Sequence, residues 1–150
     1  MKCAIFPGTF DPFTIGHYNL VMRGLDIFDE IIIGIGVNLS KKTLFDAGKR
    51  IDIIRQAFSN EPRVRVMTYD SLTVDFAASV EAKYILRGLR TVSDFEYEHT
   101  IANANRQLNG LETVVLFTET EYSFISSTVV RDLIAYGKDI TPYLPPHVKL

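Results

Sequence analysis

Cysteine is nearly missing from this chain. Among 150 residues there is only Cys3, which excludes a disulfide framework and any cysteine-based zinc site. An excess of charge of one sign is missing too. Sixteen basic against eighteen acidic residues leave a net charge of −2. There is no basic field of the kind duplex DNA selects and no acidic tail, so nucleic acid is not expected as a partner. Long apolar runs are also lacking. None reaches the ~18 residues that a membrane span requires, and no membrane association is expected. The longest run, residues 30–37, has about the length of a buried strand. The opening Met1-Lys2-Cys3-Ala4-Ile5-Phe6 passes straight into Pro7-Gly8 without the shape of a signal peptide. A cytoplasmic location is the expectation. What is present is an ordinary globular balance, 47% hydrophobic and 23% charged, which removes disorder, collagen and coiled coil as dominant classes. One domain, 1–150, is expected at this length, burying roughly 68–70% of its unfolded surface without staples.

Internal repeats and low-complexity linkers are absent. Short apolar runs alternate with helical patterns. Strands are expected at 4–6, 31–37, 64–69, 84–86 and 113–117. Their apolar residues are unbroken rather than alternating, which points to a parallel sheet covered on both faces. Between them, period-3.6 patterns mark helices. Tyr18, Val21, Met22, Leu25 and Phe28 form one face, and Ile51, Ile54 and Phe58 another. Val74, Ala77 and Ala78 mark a third helix. Phe95, Ala102 and Leu108 mark a long one over 94–108. Val129, Val130, Leu133 and Tyr136 mark the last, stopped by Gly137. Residues 139–150, with three prolines, read as an extended tail. The fold class is α/β: a doubly wound, Rossmann-like domain with a five-stranded parallel sheet and helices on both faces.

Such sheets bind ligands beyond the carboxyl ends of their strands, at the topological switch point. The segments that matter are therefore 7–14, 38–45, 70–73, 87–90 and 118–128. In the first, two prolines and Gly8 stiffen a turn, Thr14 is placed to cap a helix, and His17 falls in its first turn. Free N–H groups and the positive end of the helix dipole favour an anion there. With Thr9 and Gly16 beside it, His17 reads as a phosphate donor rather than an incidental polar residue. Ser40-Lys41-Lys42 is either a solvated loop or a pair of mobile point charges for phosphate. Arg87 directly follows an apolar run and needs an anionic partner. That partner is either an internal carboxylate (Asp94, Glu96 or Glu98) or a bound phosphate gripped bidentately. Gly88, between Arg87 and Arg90, reads as backbone exposed to a ligand. Ser126 or Ser127 caps the last helix, and the same hydroxyls with Thr128 and Arg131 make a second phosphate-binding helix start. Of the acidic residues in the long helix, Glu98 shares a face with Ile101, Ala102 and Asn105 and is expected to point inward.

Other site classes are excluded. Gly34-Ile35-Gly36 lacks the third glycine of a dinucleotide fingerprint and lies inside a strand. No P-loop and no nucleophile elbow is present. His17, His99 and His147 lack metal-ligand spacing.

Together, Thr14-Ile15-Gly16-His17 and Ile125-Ser126-Ser127-Thr128-Val129-Val130-Arg131 resemble the nucleotidyltransferase superfamily with T/H-x-G-H and I-S-S-T-x-x-R signatures. Pro7-Gly8-Thr9-Phe10-Asp11-Pro12, Ser40-Lys41-Lys42, Arg87-Gly88-Leu89-Arg90 and Asp94-Phe95-Glu96-Tyr97-Glu98 make the chain similar, over nearly its whole length, to the bacterial phosphopantetheine adenylyltransferase family. The resemblance implies joining of ATP and 4′-phosphopantetheine into 3′-dephospho-coenzyme A and pyrophosphate, with Mg²⁺, in a homohexamer. It implies that Thr9 and His17 hold the reacting phosphates, with His17 stabilising the transition state. Lys41, Thr73 and Arg87 would contact the phosphopantetheine side. Phe10, Gly88, Leu89, Arg90, Glu98 and the run Tyr122, Ser123, Phe124, Ile125, Ser126, Ser127 and Thr128 would bind ATP. Catalysis would rest on His17, Lys41, Arg90 and Thr9. One departure from the family pattern is Ala47-Gly48-Lys49-Arg50, where Glu commonly precedes the Arg. Loss of that capping box predicts weaker local order there.

The nucleophile in such a reaction is already anionic, so no general base is required; positioning and preorganised donors dominate. His17→Ala is expected to fold normally and to lose turnover. Competing readings are a transferase of the same fold acting on another phosphorylated acceptor, and a nucleotide sensor without pyrophosphate release.

Overall fold

Apolar residues on both sides of the strands are the pattern of a sheet sandwiched between helices. The computed structural model, which describes residues 1–150, has that form. Its elements run β1 (Cys3–Gly8), α1 (Ile15–Gly24), β2 (Glu30–Gly36), α2 (Ala47–Ala57), β3 (Val64–Tyr69), α3 (Thr73–Ser79), β4 (Tyr84–Leu89), α4 (Val92–Asn109), β5 (Glu112–Phe117) and α5 (Ser127–Ala135). Short 3₁₀ turns lie at Thr120–Tyr122 and Thr141–Tyr143. All pairings are parallel, in the order β3-β2-β1-β4-β5. The chain order reverses between β1 and β4, which makes that junction the switch point.

Alternate side chains of the central strands go to opposite faces. Ala4, Phe6, Ile31, Ile33, Ile35 and Leu86 join α1, α2 and α5 residues in the larger core cluster. Ile5, Ile32 and Ile85 pack with Val74, Phe76 and Ala77 of α3 on the other side. Gly34 is required here: a Cβ at that position would lie 2.4 Å from the Phe76 ring.

The β1–β2 ladder runs from Cys3↔Glu30 to Gly8↔Ile35, whereas β1–β4 pairs only at Ala4↔Tyr84 and Ile5↔Ile85. The sheet therefore parts at the carboxyl ends of β1 and β4.

Four expectations need correction. β4 continues through Arg87, Gly88 and Leu89, pairing them with Val115, Leu116 and Phe117, so these residues are strand rather than loop. The tail is not simply extended: Ile140, Leu144 and Val148 are buried in the larger core, and Gln56 exchanges two hydrogen bonds with the Lys149 backbone at 3.0 and 2.9 Å. The stripe expected to bury α4 is exposed at Phe95 and Leu108, and Glu98 is the helix's single buried residue. Finally, α2 needs no Glu to order it, because the Asp46 side chain accepts from Lys49 N–H at 2.8 Å.

Candidate active site

Parting of β1 and β4 leaves a cleft of about 460 Å³ at the switch point. His17, Lys41, Arg87 and Arg90, drawn from three segments of the chain, all line it. Thr9, Phe10, Lys42, Gly88, Glu98, Tyr122, Ile125, Ser126, Ser127, Thr128 and Arg131 line it as well. The starts of α1 and α5 both open onto this space, so two helix ends with unpaired N–H groups face one cavity.

His17 is fixed by its own helix. Its Nδ1 accepts from Thr14 N–H at 3.0 Å, and the Thr14 hydroxyl accepts from His17 N–H at 3.4 Å. This is a capping box with histidine in the place usually held by Glu or Gln. With Nδ1 an acceptor, the ring proton belongs on Nε2, which has no protein partner and can donate to a ligand oxygen. Burial, followed by the charges of Arg87 and Arg90, lowers the His17 pKa from 6.5 to about 3. The ring is therefore a neutral donor throughout the physiological range. Phe6, Phe10 and Phe13 surround it with ring centroids 5.0–6.4 Å apart. Phe10 holds φ at 52°, an unusual value for a non-glycine residue. Its ring is buried beneath the histidine, and a Cβ on Gly8 would come within 2.8 Å of it.

Lys41 Nζ donates to Thr9 Oγ1 at 3.0 Å, bridging the second strand's loop to the first. Arg90 pairs with Asp94 at 3.4 Å, with the same carboxylate oxygen accepting from Arg90 N–H at 3.0 Å. Arg87 follows the internal alternative: Nε and Nη2 reach the Glu98 carboxylate at 2.6–3.0 Å, and Nη1 donates to the Pro7 carbonyl at 2.8 Å. Glu98 does point inward, as its helix face implied. Gly88 is a close-packing position, since a Cβ there would sit 3.0 Å from Leu20.

Ser126 caps α5 by accepting from Val129 N–H at 3.2 Å, while Ser127 Oγ donates to the Pro12 carbonyl at 2.8 Å. Arg131 Nη1 donates to the Asp11 carbonyl at 2.8 Å. Thus the start of α5 is tied to the β1–α1 loop.

Some expected residues stand apart. Leu89 is buried behind the cleft wall, Ser123 bonds back to the Thr120 carbonyl, and Phe124 is exposed against Tyr143. Thr73 lies in a second cavity of about 190 Å³ with Tyr69, Tyr97, Ile101 and Asn105. That cavity shares Pro7, Gly8, Arg87 and Glu98 with the main cleft. Two contributors escaped the sequence reading. Asp11 and Arg50 are each only 4% exposed, and both act on the loop that carries Lys41. A polar side chain in a turn and one in a helix carry no periodic signal that would single them out.

No group of three His, Cys, Asp or Glu side chains could hold a metal ion. No helix is long and apolar enough to cross a membrane.

Residues 5–133 match the family model described as cytidylyltransferase-like. The phosphopantetheine adenylyltransferase of Phocaeicola vulgatus is 58% identical over 150 residues, 100% of this chain and 99% of that protein. That of Bacteroides thetaiotaomicron is 57% identical over the same spans. Among solved structures, a bifunctional NMN adenylyltransferase/ADP ribose pyrophosphatase from Francisella tularensis superposes with a TM-score of 0.76 at 14% identity. The match covers 97% of this chain and 45% of that longer one. A second structure of it, complexed with AMP and a Mn ion, gives 0.69 over 95% of this chain and 44% of that one. At that identity the likeness is one of fold. On the family model and the full-length relatives, the chain belongs to the cytidylyltransferase-like nucleotidyltransferases and, within them, to the phosphopantetheine adenylyltransferases.

Proposed function

We propose that this chain, as one domain, transfers the adenylyl group of ATP to 4′-phosphopantetheine. The products are 3′-dephospho-coenzyme A and pyrophosphate, in the cytoplasmic synthesis of coenzyme A. The observation that carries this reading is the convergence of His17, Lys41, Arg87 and Arg90 on one cleft at the β1/β4 switch point. Oxygen of the phosphopantetheine phosphate attacks the α-phosphorus of ATP. The bond to the bridging oxygen breaks, and pyrophosphate leaves with that electron pair. No covalent intermediate with the protein forms.

The two substrates divide the site. Lys41 and Thr9 receive the acceptor phosphate, Arg87, paired with Glu98, lies beside it on the phosphopantetheine side, and the neighbouring cavity that holds Thr73 takes the pantetheine arm. Arg90, Gly88, Glu98 and the α5 start, with Ser126, Ser127 and Thr128, take ATP. Tyr122 and Ile125 line the same wall. Phe10 serves this side as the floor beneath His17. Leu89, Ser123 and Phe124 act only through the backbone that carries their neighbours. A neutral Nε2–H on His17 strengthens its hydrogen bond as charge gathers on the α-phosphate oxygens, which lowers the barrier rather than the binding energy. Nothing in the site needs to remove a proton, because the attacking phosphate arrives ionised.

Mg²⁺ fits this chemistry as an ion carried by the ATP phosphates, since the protein offers no cage of its own. It would screen phosphate charge there. The exposed apolar residues of α4 and β5, among them Phe95, Ile101 and Phe117, support self-association through that face, and the homohexamer is the form that the family resemblance implies for it.

Pyrophosphate release from ATP, measured with and without 4′-phosphopantetheine, tests the reading. Release should depend on the acceptor, and nicotinate mononucleotide should not replace it. Equal release with either acceptor would move the chain to another specificity of the same fold.

A further inference from the structure

Asp11 and Arg50 are almost fully withdrawn from water, and no ion pair joins one to the other; the one cation near the Asp11 carboxylate is Arg131, with Nη1 at 3.9 Å. Charges removed from water need partners. Both find hydrogen-bond partners on the backbone of Phe45. Asp11 accepts from Leu44 N–H and Phe45 N–H, each at 2.8 Å, one to each carboxylate oxygen. Arg50 Nε donates to the Phe45 carbonyl at 3.1 Å, and its Nη1 donates to the Thr9 carbonyl at 2.9 Å. Phe45 is thus held by an anion at its N–H and by a cation at its C=O. It closes the loop that carries Lys41. At the other end of that loop only a local turn is made, with Ser40 bonded to Asn38. Between the two ends, Lys41 reaches Thr9, whose own carbonyl is in the grip of Arg50.

We infer that Asp11 and Arg50 form a latch that sets Lys41 against Thr9, making them positioning residues of the adenylyl transfer. This rests on the proposed role of Lys41 in that reaction. Two buried charges are a costly way to gain stability, since apolar residues of similar volume would do as well. What they supply is a fixed loop geometry, and a misplacement of about 1 Å at a reacting group is enough to cost roughly 10²-fold in rate.

The test is a double-mutant cycle with amide hydrogen exchange on the full chain. Asp11→Asn is expected to lower kcat/KM for pyrophosphate release roughly 10- to 100-fold. In a Lys41→Ala background the same change is expected to cost less than about threefold, because the group being placed has gone. Exchange at Leu44 and Phe45 should quicken while β1 and β2 keep their protection. Arg50→Lys, which keeps the charge and loses the fork, runs the same cycle should Asp11→Asn fail to fold. Penalties that multiply in full, or unchanged exchange at Leu44 and Phe45, would overturn the latch. Wild-type chain without any pyrophosphate release would overturn the proposed reaction instead, and exchange at those two amides would still decide whether the loop is held as described.

Discussion

His17 carries two loads. One ring nitrogen closes the first turn of α1, and the other is left for the ligand. His17→Ala should therefore reduce kcat by roughly 10²–10³, the usual cost of removing a preorganised donor. It should also lower stability by about 1 kcal/mol, because a cap goes with it. The second effect departs from the simple expectation of an unperturbed fold. Kinetics and thermal unfolding of the purified variant measure the two separately; near-normal kcat would remove His17 from the mechanism. The ring also makes stability depend on acid. Its folded pKa, about 3, lies below the usual 6.5. Between those values the unfolded chain binds a proton that the folded one refuses. This contribution is full above about pH 6.5 and is lost as pH falls toward 3. Urea unfolding at pH 4, 5, 6 and 7 should show a steeper loss in the wild type than in His17→Ala, and parallel slopes would contradict the assignment.

Among the elements, α4 is held to the sheet in an unusual way. Its one buried residue is Glu98, and that carboxylate faces Arg87 of β4. Glu98→Ala should leave a half-buried guanidinium uncompensated, costing about 1–3 kcal/mol. It should also speed amide exchange along α4 more than along α1 or α2. Uniform protection across the helices would show that α4 is anchored otherwise. This helix also marks where sequence reading stops. A 3.6-residue period shows that a stripe exists over Phe95, Ala102 and Leu108, but not what covers it. The same limit explains β4. Arg87 and Gly88 look like loop residues because a strand interior rarely takes them, yet they stay in the ladder and shape the cleft. By contrast, Thr14 as a cap, Gly137 as a helix stop and Glu98 as an inward-facing acid were legible, since each follows from local geometry alone. Gly137 sits at φ 69°, as a left-handed stop requires.

At the scale of the whole molecule, alternating apolar runs were enough to give a parallel sheet, and the switch-point rule then named the loops that meet at the cleft. The ending of the chain was read less well. Pro142, Pro145 and Pro146 argued against regular structure, but irregular backbone can still bury Ile140, Leu144 and Val148. Removing residues 139–150 should therefore strip cover from the larger core at a cost of about 1.5–3 kcal/mol for each of those three side chains. A lowered melting temperature, or insoluble protein, is the expected result. A truncated chain that melts with the full-length protein would show that this segment is dispensable.

The early end of the β1–β4 ladder determines what it takes to admit a substrate. Pro7 has no N–H to offer a neighbour, and the carbonyl that Pro7 turns toward β4 is already satisfied by Arg87. The seam thus stands open there with the Pro7 carbonyl already paired. A phosphate can enter the middle of the sheet without unzipping any strand, so admission is a matter of side chains changing partners on a rigid frame.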